Sequence, residues 1–538
     1  MLVKGVTVMK KNLFAVSLLT VTCLYGVLAA LIILIFALTG LPVLGGILLS
    51  IAILVVQFLV GPWLTDLNMR WFYKAKFDQT VPAYLDSFIR RVCDEQSMKY
   101  PRIGYIDDGA PNAFTYGRTK NDARVVLTRG IFEMLSEDEV KAVVAHELGH
   151  ARHYDMLLMT AAQLVPLVLY ALYQFCMGSG SGSTRRSDSD SKSGDYLAVI
   201  GVIAYVLYIV CQYIILWLSR TREYYADEFS VRETRNPAAL AEALVKIGFG
   251  LSAHRSDSVA APNALGISDT KSATAMAVAS YDADGRVSKR SISAAMRWEM
   301  WNPWAVVYQF GSTHPLISRR ILAISAMSAE YGQMPYITFD ETKPESYADD
   351  FALELLICFA PWLAVIVMLI AAFAADSVLI YVLTPAVAAA LSLVKFCYTH
   401  PARDYPVDTV EGLLGEVKVS GVRSIPCTLR GTIIGRGNPG CIFDENFVIR
   451  DATGIVMLNY NQPLSVINKL FALFRLPEYF SKTVTVRGWY RRAPVPYVEL
   501  LSYEVDGKVK RCFGYGFGLV WRIALLAVSM LLVLAVAL

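Results

Sequence analysis

The feature that most constrains this sequence is a series of long apolar runs. A bilayer core is crossed by about 20 consecutive apolar residues, and each run is long enough to do so. Only 18% of the residues are charged, against about a quarter in a soluble globular chain. We therefore predict a multi-pass α-helical membrane protein. The predicted spans are residues 13–39, 42–64, 157–177, 196–217, 353–373, 377–397 and 514–538.

Lysine and arginine residues near the span ends predict the orientation, since cytoplasmic loops are enriched in them. Basic residues precede span one, follow spans two and four, and precede span seven, as at Lys10, Arg70, Arg220 and Lys510. This pattern places all of them on one side, which we predict to be cytoplasmic. The loop GSGSGSTRRSDSDSKSGD, between spans three and four, also contains basic residues. Aspartates are mixed with them, and we predict that this loop is external.

The segment SEDEVKAVVAHELGHARHYDMLLM, residues 136–159, is predicted to be a helix that runs straight into the third span. Ser136 and Glu139 form a capping-box pattern at its start. His146 and His150 are one turn apart and share a face, so that both can bind one Zn²⁺, with Glu147 beside them to act on a water. The alternative is a surface helix that carries these residues by chance. The chain has only six histidines, which makes the chance pattern rare.

A catalytic zinc needs a third protein ligand. Met156 stands where a metzincin would have its third histidine, which excludes that class. His150 precedes span three, and Glu223 follows span four, by similar numbers of residues, so both lie roughly 10 Å from the membrane on the same side. We therefore predict Glu223 as the third ligand. Asp227, one turn further on, is placed to support a ligand histidine.

Other roles for these polar residues remain open from the sequence. Glu223 can instead form an ion pair on the helix surface with Arg220 or Arg222. His153 is predicted to be a surface or interface histidine rather than a ligand.

Four segments, VVAHELGH, SRTREYYADEFS, NPAALAEALVKI and NPWAVVYQFGSTHPLISRRI, resemble the HtpX-type integral-membrane zinc metalloproteases, relatives of the CAAX prenyl proteases. The resemblance covers about residues 1–330. It implies an α+β, gluzincin-type protease domain with one Zn²⁺ per chain. The implied zinc ligands are His146, His150 and Glu223, with Glu147 as the catalytic acid/base.

The same resemblance implies two further roles. His314, in STHP, would stabilise the transition state. Asn112, Ala113 and Phe114, in APNAFTYG, would belong to an edge strand that holds the substrate, as expected for a peptide that adds to a sheet edge. The alternative for that stretch is a plain edge strand without this role.

Residues 402–512 alternate between apolar and polar positions and are predicted to form a soluble all-β domain. Its five strand-like runs are EVKVSGV, CTLRGTIIG, NFVIRDATGIVMLNY, KTVTVRGWYRR and PYVELLSYEV, with the short apolar helix LSVINKLFALFRL between the third and the fourth. This pattern resembles an OB-type barrel. The domain has 15 lysines and arginines against 11 acidic residues. That mild excess favours a membrane-proximal accessory or substrate-docking module, and we expect no nucleic acid as a partner.

The sequence thus predicts a membrane zinc endopeptidase in an integral, multi-pass cell-membrane setting, with its active site facing the cytoplasm. Its expected partners are the lipid bilayer and membrane or membrane-associated protein substrates, as in protein quality control. One alternative is processing of a lipidated, CAAX-like peptide. Another is a non-catalytic membrane scaffold with structural zinc, although such a site needs no Glu147.

The sequence also predicts the domain boundaries. The predicted domains are 1–64 with two spans, 65–340 with the protease interrupted by the hairpin 157–217, the hairpin 353–397, the barrel 402–512 and the last span 514–538. Residues 250–300 are predicted to contain a flap or disordered loop.

Overall fold

The computed structural model describes residues 23–24, 27, 43–71, 73–109, 111–179, 191–253, 289–338, 345–436, 444–493 and 495–538. Nearly all of the predicted first span, most of the loop between spans three and four, and residues 254–288 of the predicted flap, with His254, lie outside them. The described residues form two compact units. The first comprises those of Met1–Ile247 and Gln309–Tyr336, and the second those of Gly248–Arg255, Thr270–Tyr308 and Ile337–Leu538. The predicted domain boundaries stay a prediction.

Helices make up most of both units. In chain order they are α1 (Val43–Trp71), α2 (Ala83–Glu95), α3 (Arg129–Met134), α4 (Glu137–Arg152), α5 (Asp155–Ser179), α6 (Ser191–Thr234), α7 (Pro237–Ala253), α8 (Lys289–Trp301), α9 (Pro303–Phe310), α10 (Ile317–Met327), α11 (Ala348–Ala374), α12 (Val378–Thr399), α13 (Val410–Gly415), α14 (Ser465–Leu470) and α15 (Gly514–Ala537). The strands are β1 (Lys76–Phe77), β2 (Arg102–Ile106), β3 (Ala113–Gly117), β4 (Ala123–Thr128), β5 (Ile425–Arg436), β6 (Phe447–Arg450), β7 (Ile455–Asn459), β8 (Thr483–Ala493), β9 (Val495–Val505) and β10 (Lys508–Arg511).

Several of these helices are long and apolar enough to cross a membrane. Within the described part of the chain they are Asp155–Met177, Ala198–Thr234, Ala348–Ala374, Val378–Thr399 and Gly514–Ala537. They contain the predicted spans three to seven, apart from a few residues at the span ends, and helix α1 covers nearly all of the predicted second span. The multi-pass α-helical architecture is therefore confirmed.

The sheet of the first unit has the strand order β1-β2-β4-β3. Strands β2 and β4 are parallel, and the other pairs are antiparallel. Strand β3 pairs only with β4, so its other edge is unpaired within the described sheet. Strand β4 ends at Thr128, and the chain then forms the short helix α3.

Helix α4 begins with the predicted capping box, in which the Ser136 N–H donates to Glu139 Oε2 at 3.0 Å. The prediction that it continues directly into the third span is wrong. Helix α4 ends at Arg152, and Tyr154 has a left-handed backbone with φ of +58°. Helix α5 then starts at Asp155, and this break brings Asp155 into contact with His150, as described below.

The second unit contains a closed five-stranded barrel. Strands β5, β6 and β7 form an antiparallel meander, β7 pairs in parallel with β9, and β8 pairs with both β9 and β5. Helix α14 lies between β7 and β8, and β10 extends β9 beyond the barrel. This connectivity is that of an OB-type barrel and confirms the predicted domain type.

The prediction of a first barrel strand at EVKVSGV is wrong, because this segment has an irregular backbone. The carbonyl groups of Val417 and Val419 accept hydrogen bonds from side chains of the second unit. Asn302 Nδ2 donates to the carbonyls of Val417 and Val419 at 2.7 and 2.8 Å, and Trp298 Nε1 donates to that of Val419 at 2.7 Å.

Candidate metal centre and active site

Helices α4 and α6 bring three metal-binding side chains together. His146 Nε2 and His150 Nε2 are 3.2 Å apart, and they lie 3.6 and 3.5 Å from the carboxylate oxygens of Glu223. Potential ligand atoms of these three residues all lie within 4.8 Å of one another. The sequence spacing that placed Glu223 opposite the two histidines therefore corresponds to a real convergence.

The arrangement fits a bound metal ion. Glu223 Oε2 is buried without a hydrogen-bond partner, and its ion pair with Arg320 Nη1 is 3.4 Å long, so this oxygen keeps a lone pair for a metal ion. Burial alone would lower the pKa of His146, but the carboxylates of Asp227 and Glu223 outweigh it and raise this pKa to about 9. The site therefore favours positive charge. Two imidazoles and one carboxylate are a donor set that binds catalytic zinc.

Each ligand histidine has a carboxylate behind it. His146 Nδ1 lies 3.0 Å from Asp227 Oδ1, as expected from the sequence, and His150 Nδ1 lies 2.8 Å from Asp155 Oδ2. Such partners fix the ring orientation and the tautomer, which leaves Nε2 free for the metal. Sequence reasoning missed Asp155, because on a continuous helix a residue five positions after His150 would point elsewhere. The helix instead breaks at Tyr154, whose backbone is left-handed, and Asp155 contacts His150.

Arg320 is a second component that sequence reasoning missed. This fully buried residue of helix α10 donates to both carboxylate oxygens of Asp227, at 2.9 and 2.6 Å, and its Nη1 lies 3.4 Å from Glu223 Oε2. A bidentate guanidinium–carboxylate pair fixes both orientation and charge. Its sequence, SRRI, lies in the segment that carries the family resemblance, but nothing in the spacing indicates which carboxylate it binds.

Glu147 is 2% exposed and lies on the cleft side of helix α4. Burial raises the pKa of its carboxyl group, and the two neighbouring histidines and the Thr115 hydroxyl oppose that shift. A carboxylate with a raised pKa is better matched to proton transfer near neutral pH than an exposed one. Glu147 is thus suited to accept and return a proton beside the metal-binding residues.

His314 reaches the same centre from the loop before helix α10. Its Nε2 lies 3.7 Å from Glu223 Oε1, and its Nδ1 lies 2.9 Å from Thr313 Oγ1. Arg220 holds this loop by donating to the carbonyls of Gln309 and Ser312, both at 2.8 Å. Arg220 is therefore engaged with backbone carbonyls rather than with Glu223.

The other proposed ion-pair partner, Arg222, donates to the Asp155 carbonyl at 3.2 Å. Glu223 itself is 2% exposed, which does not fit an ion pair on the helix surface. His153 packs against the rings of Tyr225 and Phe229, with ring centroids 6.3 and 6.0 Å away. It is an interface histidine, as its sequence position indicates.

The residues predicted to bind substrate lie at the start of the edge strand and are buried. The Asn112 N–H donates to Thr128 Oγ1 at 2.8 Å, and the Thr128 N–H donates to the Asn112 carbonyl at 3.1 Å. Ala113 and Phe114 are at most 1% exposed. The part of the strand that lines the cleft is the following stretch, 115–118. Sequence reasoning placed the correct strand beside the site but did not resolve which of its residues face the cleft.

A cleft of about 730 Å³ joins these elements. It contains Glu147, His150, Glu223 and His314, and it continues between helices α5 and α6. Its wall there includes the side chains of Gln163, Tyr170, Tyr208 and Gln212. The cleft is thus bounded by the edge strand on one side and reaches into the predicted membrane spans.

Comparisons with known proteins identify the family. The model of peptidase family M48 matches residues 80–330. A protease HtpX homolog of Methanothermobacter thermautotrophicus is 35% identical over 239 residues, which are 44% of this chain and 85% of that relative. The chain belongs to the HtpX proteases of peptidase family M48. Another HtpX homolog, from Archaeoglobus fulgidus, is 30% identical over 320 residues, 59% of this chain and 88% of that relative.

Among solved structures, the crystal structure of S. mikatae Ste24p matches with a TM-score of 0.34 and 18% identity, covering 57% of this chain and 64% of that one. Membership of family M48, together with the membrane helices, makes this chain an integral-membrane metalloprotease. Its reaction therefore involves a bound metal and a protein or peptide substrate. The predicted family resemblance is confirmed.

Proposed function

We propose that this chain is a zinc-dependent endopeptidase that cleaves membrane or membrane-associated proteins. The observation that carries the proposal is the cleft, because it connects Glu147 with amide and tyrosine side chains inside the membrane hairpin. Gln163 is eight residues into helix α5 from Asp155, about 12 Å along the helix axis. Amide groups at that depth can hydrogen-bond the backbone of a substrate segment that leaves the bilayer.

Zinc is the metal we assign to His146, His150 and Glu223. The neutral imidazoles and single carboxylate match the ligand set of catalytic zinc sites, and their supporting carboxylates match the usual surroundings of such ligands. When bound, zinc supplies Lewis acidity that polarises a carbonyl group and makes a water more acidic. The buried charges of Asp227 and Arg320 hold the ligand side chains in place.

The protein's own groups divide the remaining chemistry. Glu147 accepts the proton of the attacking water and returns it to the leaving amine. His314, beside the ligand carboxylate, donates a hydrogen bond to the developing oxyanion. The free edge of β3 receives the extended substrate by main-chain hydrogen bonds, with Asn112, Ala113 and Phe114 anchoring the start of that strand and residues 115–118 facing the cleft.

We place the active site on the cytoplasmic side, since Arg70 and Arg220 flank the spans that border it. We propose a role in membrane-protein quality control for two reasons. The cleft continues along the hairpin, and main-chain hydrogen bonds require no particular side chain in the substrate. The alternative function is processing of a lipidated peptide, and the trapping experiment described below distinguishes the two.

The catalytic assignment is tested with Glu147→Gln. This variant should retain zinc and its thermal stability but lose cleavage of casein, because the proton acceptor is gone while the ligands remain. Glu137→Gln, an exposed change on the same helix, is the matched control and should cleave normally. Proteolysis by the Glu147→Gln protein at the wild-type rate would remove the proposed mechanism.

The substrate assignment is tested by trapping in cells. Full-length proteins that co-purify with the Glu147→Gln variant, and not with wild type, should be enriched in membrane proteins. Enrichment of prenylated proteins alone would instead favour the processing role.

A further inference from the structure

A second cleft, remote in sequence from the catalytic residues, lies within the second unit. It is formed where helices α11, α12 and α15 meet the barrel, and it has a volume of about 480 Å³. Its lining includes the cations Lys395 and Arg522 and the barrel residues Asn461 and Glu499. Nothing in the proteolytic mechanism uses this cleft.

Both cations of this cleft stand within membrane-spanning helices. Lys395 lies four residues before the end of α12, and Arg522 lies eight residues after the start of α15, about 12 Å along the helix. Cations at such positions are rare and costly, and they usually face a cavity and a partner of opposite charge. Their presence on one cleft therefore requires an explanation.

The contacts of these cations leave their charge unneutralised. Lys395 Nζ donates to the Cys358 carbonyl at 2.9 Å, and Arg522 Nη1 donates to the Gly518 carbonyl at 2.8 Å. Arg522 also stacks on the Phe396 ring at 4.4 Å, and its buried Nε has no hydrogen-bond partner. Across the described ranges of the chain, no carboxylate lies within ion-pair distance of either residue.

The one carboxylate in the lining, Glu499, is already paired. Its Oε2 lies 2.9 Å from Arg491 Nε and 3.3 Å from His400 Nε2. Glu499 therefore does not balance Lys395 and Arg522, and the cleft carries an excess of positive charge.

Gly518 leaves room in the cleft for the Arg522 side chain. A Cβ added to Gly518 would lie 3.2 Å from both Arg522 Nη1 and the Phe396 ring. Glycine thus allows the guanidinium to stack on the ring and stay in the cleft. At the cleft's edge, Trp362 of α11 is 71% exposed and presents an apolar surface beside the cations.

We propose that this cleft binds the headgroup phosphate of an anionic phospholipid through Lys395 and Arg522. Lipid phosphates are the anions that a bilayer supplies at the ends of its spans, and basic pockets between helices at that level suit acidic headgroups. The unused Nε of Arg522 and the Lys395 ammonium provide charge-assisted donors for phosphate oxygens. Acyl chains would lie against the exposed face around Trp362.

The test measures thermal unfolding of the purified full chain in non-ionic detergent. Dioctanoyl phosphatidylglycerol should raise the unfolding temperature in a saturable way, whereas dioctanoyl phosphatidylcholine and inorganic phosphate should have little effect. In Lys395→Gln/Arg522→Gln the lipid concentration for the half-maximal shift should rise roughly tenfold or more, because two charge-assisted contacts are lost. The control Arg430→Gln/Lys508→Gln removes the same charge from exposed barrel positions and should respond as wild type.

Charge-conserving changes keep the test decisive if the double glutamine variant does not fold. Lys395→Arg/Arg522→Lys should retain the response to phosphatidylglycerol. Equal shifts with both lipids, a full shift with inorganic phosphate alone, or a wild-type response in a folded glutamine variant would each overturn the proposal.

Discussion

Asp155 accepts a hydrogen bond from His150 across the break between helices α4 and α5, with 2.8 Å between Oδ2 and Nδ1. Asp155 is 1% exposed, and it is the carboxylate that lies against Nδ1 of His150, whereas Glu223 lies 3.5 Å from Nε2. The contact selects the tautomer that presents Nε2 to the metal. The start of a membrane helix is thereby part of the candidate metal centre.

The first prediction concerns this contact. Asp155→Ala should lower zinc affinity by about 10–100-fold, the usual effect of losing such a partner, and should lower proteolysis of casein in parallel at limiting zinc. The measurement is a competition titration against a chelator. Asp138→Ala, an exposed change on helix α4, should bind zinc as wild type. Unchanged affinity in Asp155→Ala would mean that the carboxylate serves only the fold.

The second prediction concerns Glu223. Glu223→Gln removes the anionic ligand and keeps the size of the side chain, so zinc per purified chain after mild chelation should fall sharply, and activity with it. Asp227→Asn should cause the smaller, about 10–100-fold, loss of affinity that a supporting residue causes. Glu228→Gln, five residues after Glu223 and paired with Arg232 at 2.8 Å, is the control. Wild-type zinc content in Glu223→Gln would show that the third ligand is another residue, and Asp227 would be the first to examine.

The third prediction concerns the backbone at Tyr154, where φ is +58°. A left-handed conformation is open to glycine and unfavourable for a β-branched residue. Tyr154→Gly should therefore keep stability and zinc content close to wild type, and Tyr154→Val should be less stable than Tyr154→Gly by about 1–3 kcal/mol. At Tyr213, inside helix α6, the order should reverse, because glycine is a poor helix former. Thermal unfolding of the four variants checks both orders.

These residues show what the sequence can and cannot predict. The sequence could predict two pairs of residues, His146 with His150 and Glu223 with Asp227. The members of each pair are one helical turn apart, and the membrane hairpin brings the two pairs to the same distance from the membrane. Asp155 was not predictable, since its position depends on a backbone break that no glycine or proline marks. Arg320 depends on a tertiary contact with a residue 93 positions away.

The barrel shows the same division. Alternating residues located the strands of the closed barrel, with the third predicted run containing both β6 and β7, and the helix between β7 and β8 was also found. Strand β10, which pairs with β9, was not predicted. The pattern failed at EVKVSGV, where Val417 and Val419 are buried as in a strand but their carbonyls bind the side chains of Asn302 and Trp298. Alternating burial by itself produces the pattern of apolar and polar residues. Only the hydrogen-bond partners distinguish a paired strand from this irregular segment.

The fourth prediction tests membrane substrates directly. Gln163→Leu/Gln212→Leu removes both amides from the hairpin part of the cleft, so cleavage of a membrane-anchored substrate should fall several-fold, while hydrolysis of a short soluble peptide should stay near wild type. Tyr213→Leu is the control, because Tyr213 lies on helix α6, is 49% exposed and is not among the residues that line the cleft. Equal losses on both substrates would place the defect at the catalytic centre instead.

The fifth prediction concerns helix α8, which belongs to the segment matched by the family model and packs with the barrel in the second unit. Trp298 is fully buried, its Nε1 donates to the Val419 carbonyl, and the Arg492 guanidinium stacks on its ring at 4.6 Å. Arg492 Nη2 also donates to the Ala295 carbonyl at 2.9 Å. Deleting the barrel would therefore also expose this helix. A single substitution in the helix tests its contact with the barrel more directly.

Trp298→Ala should destabilise the second unit by about 3–5 kcal/mol, the usual cost of truncating a buried tryptophan, and the unfolding temperature should fall accordingly. Trp521→Ala, at a position 61% exposed on helix α15, should change it little in detergent. Arg492→Lys keeps the charge but loses the planar stacking and the forked donors, and we expect an intermediate loss. A Trp298→Ala protein as stable as the Trp521→Ala protein would show that helix α8 contributes nothing to the stability of the barrel.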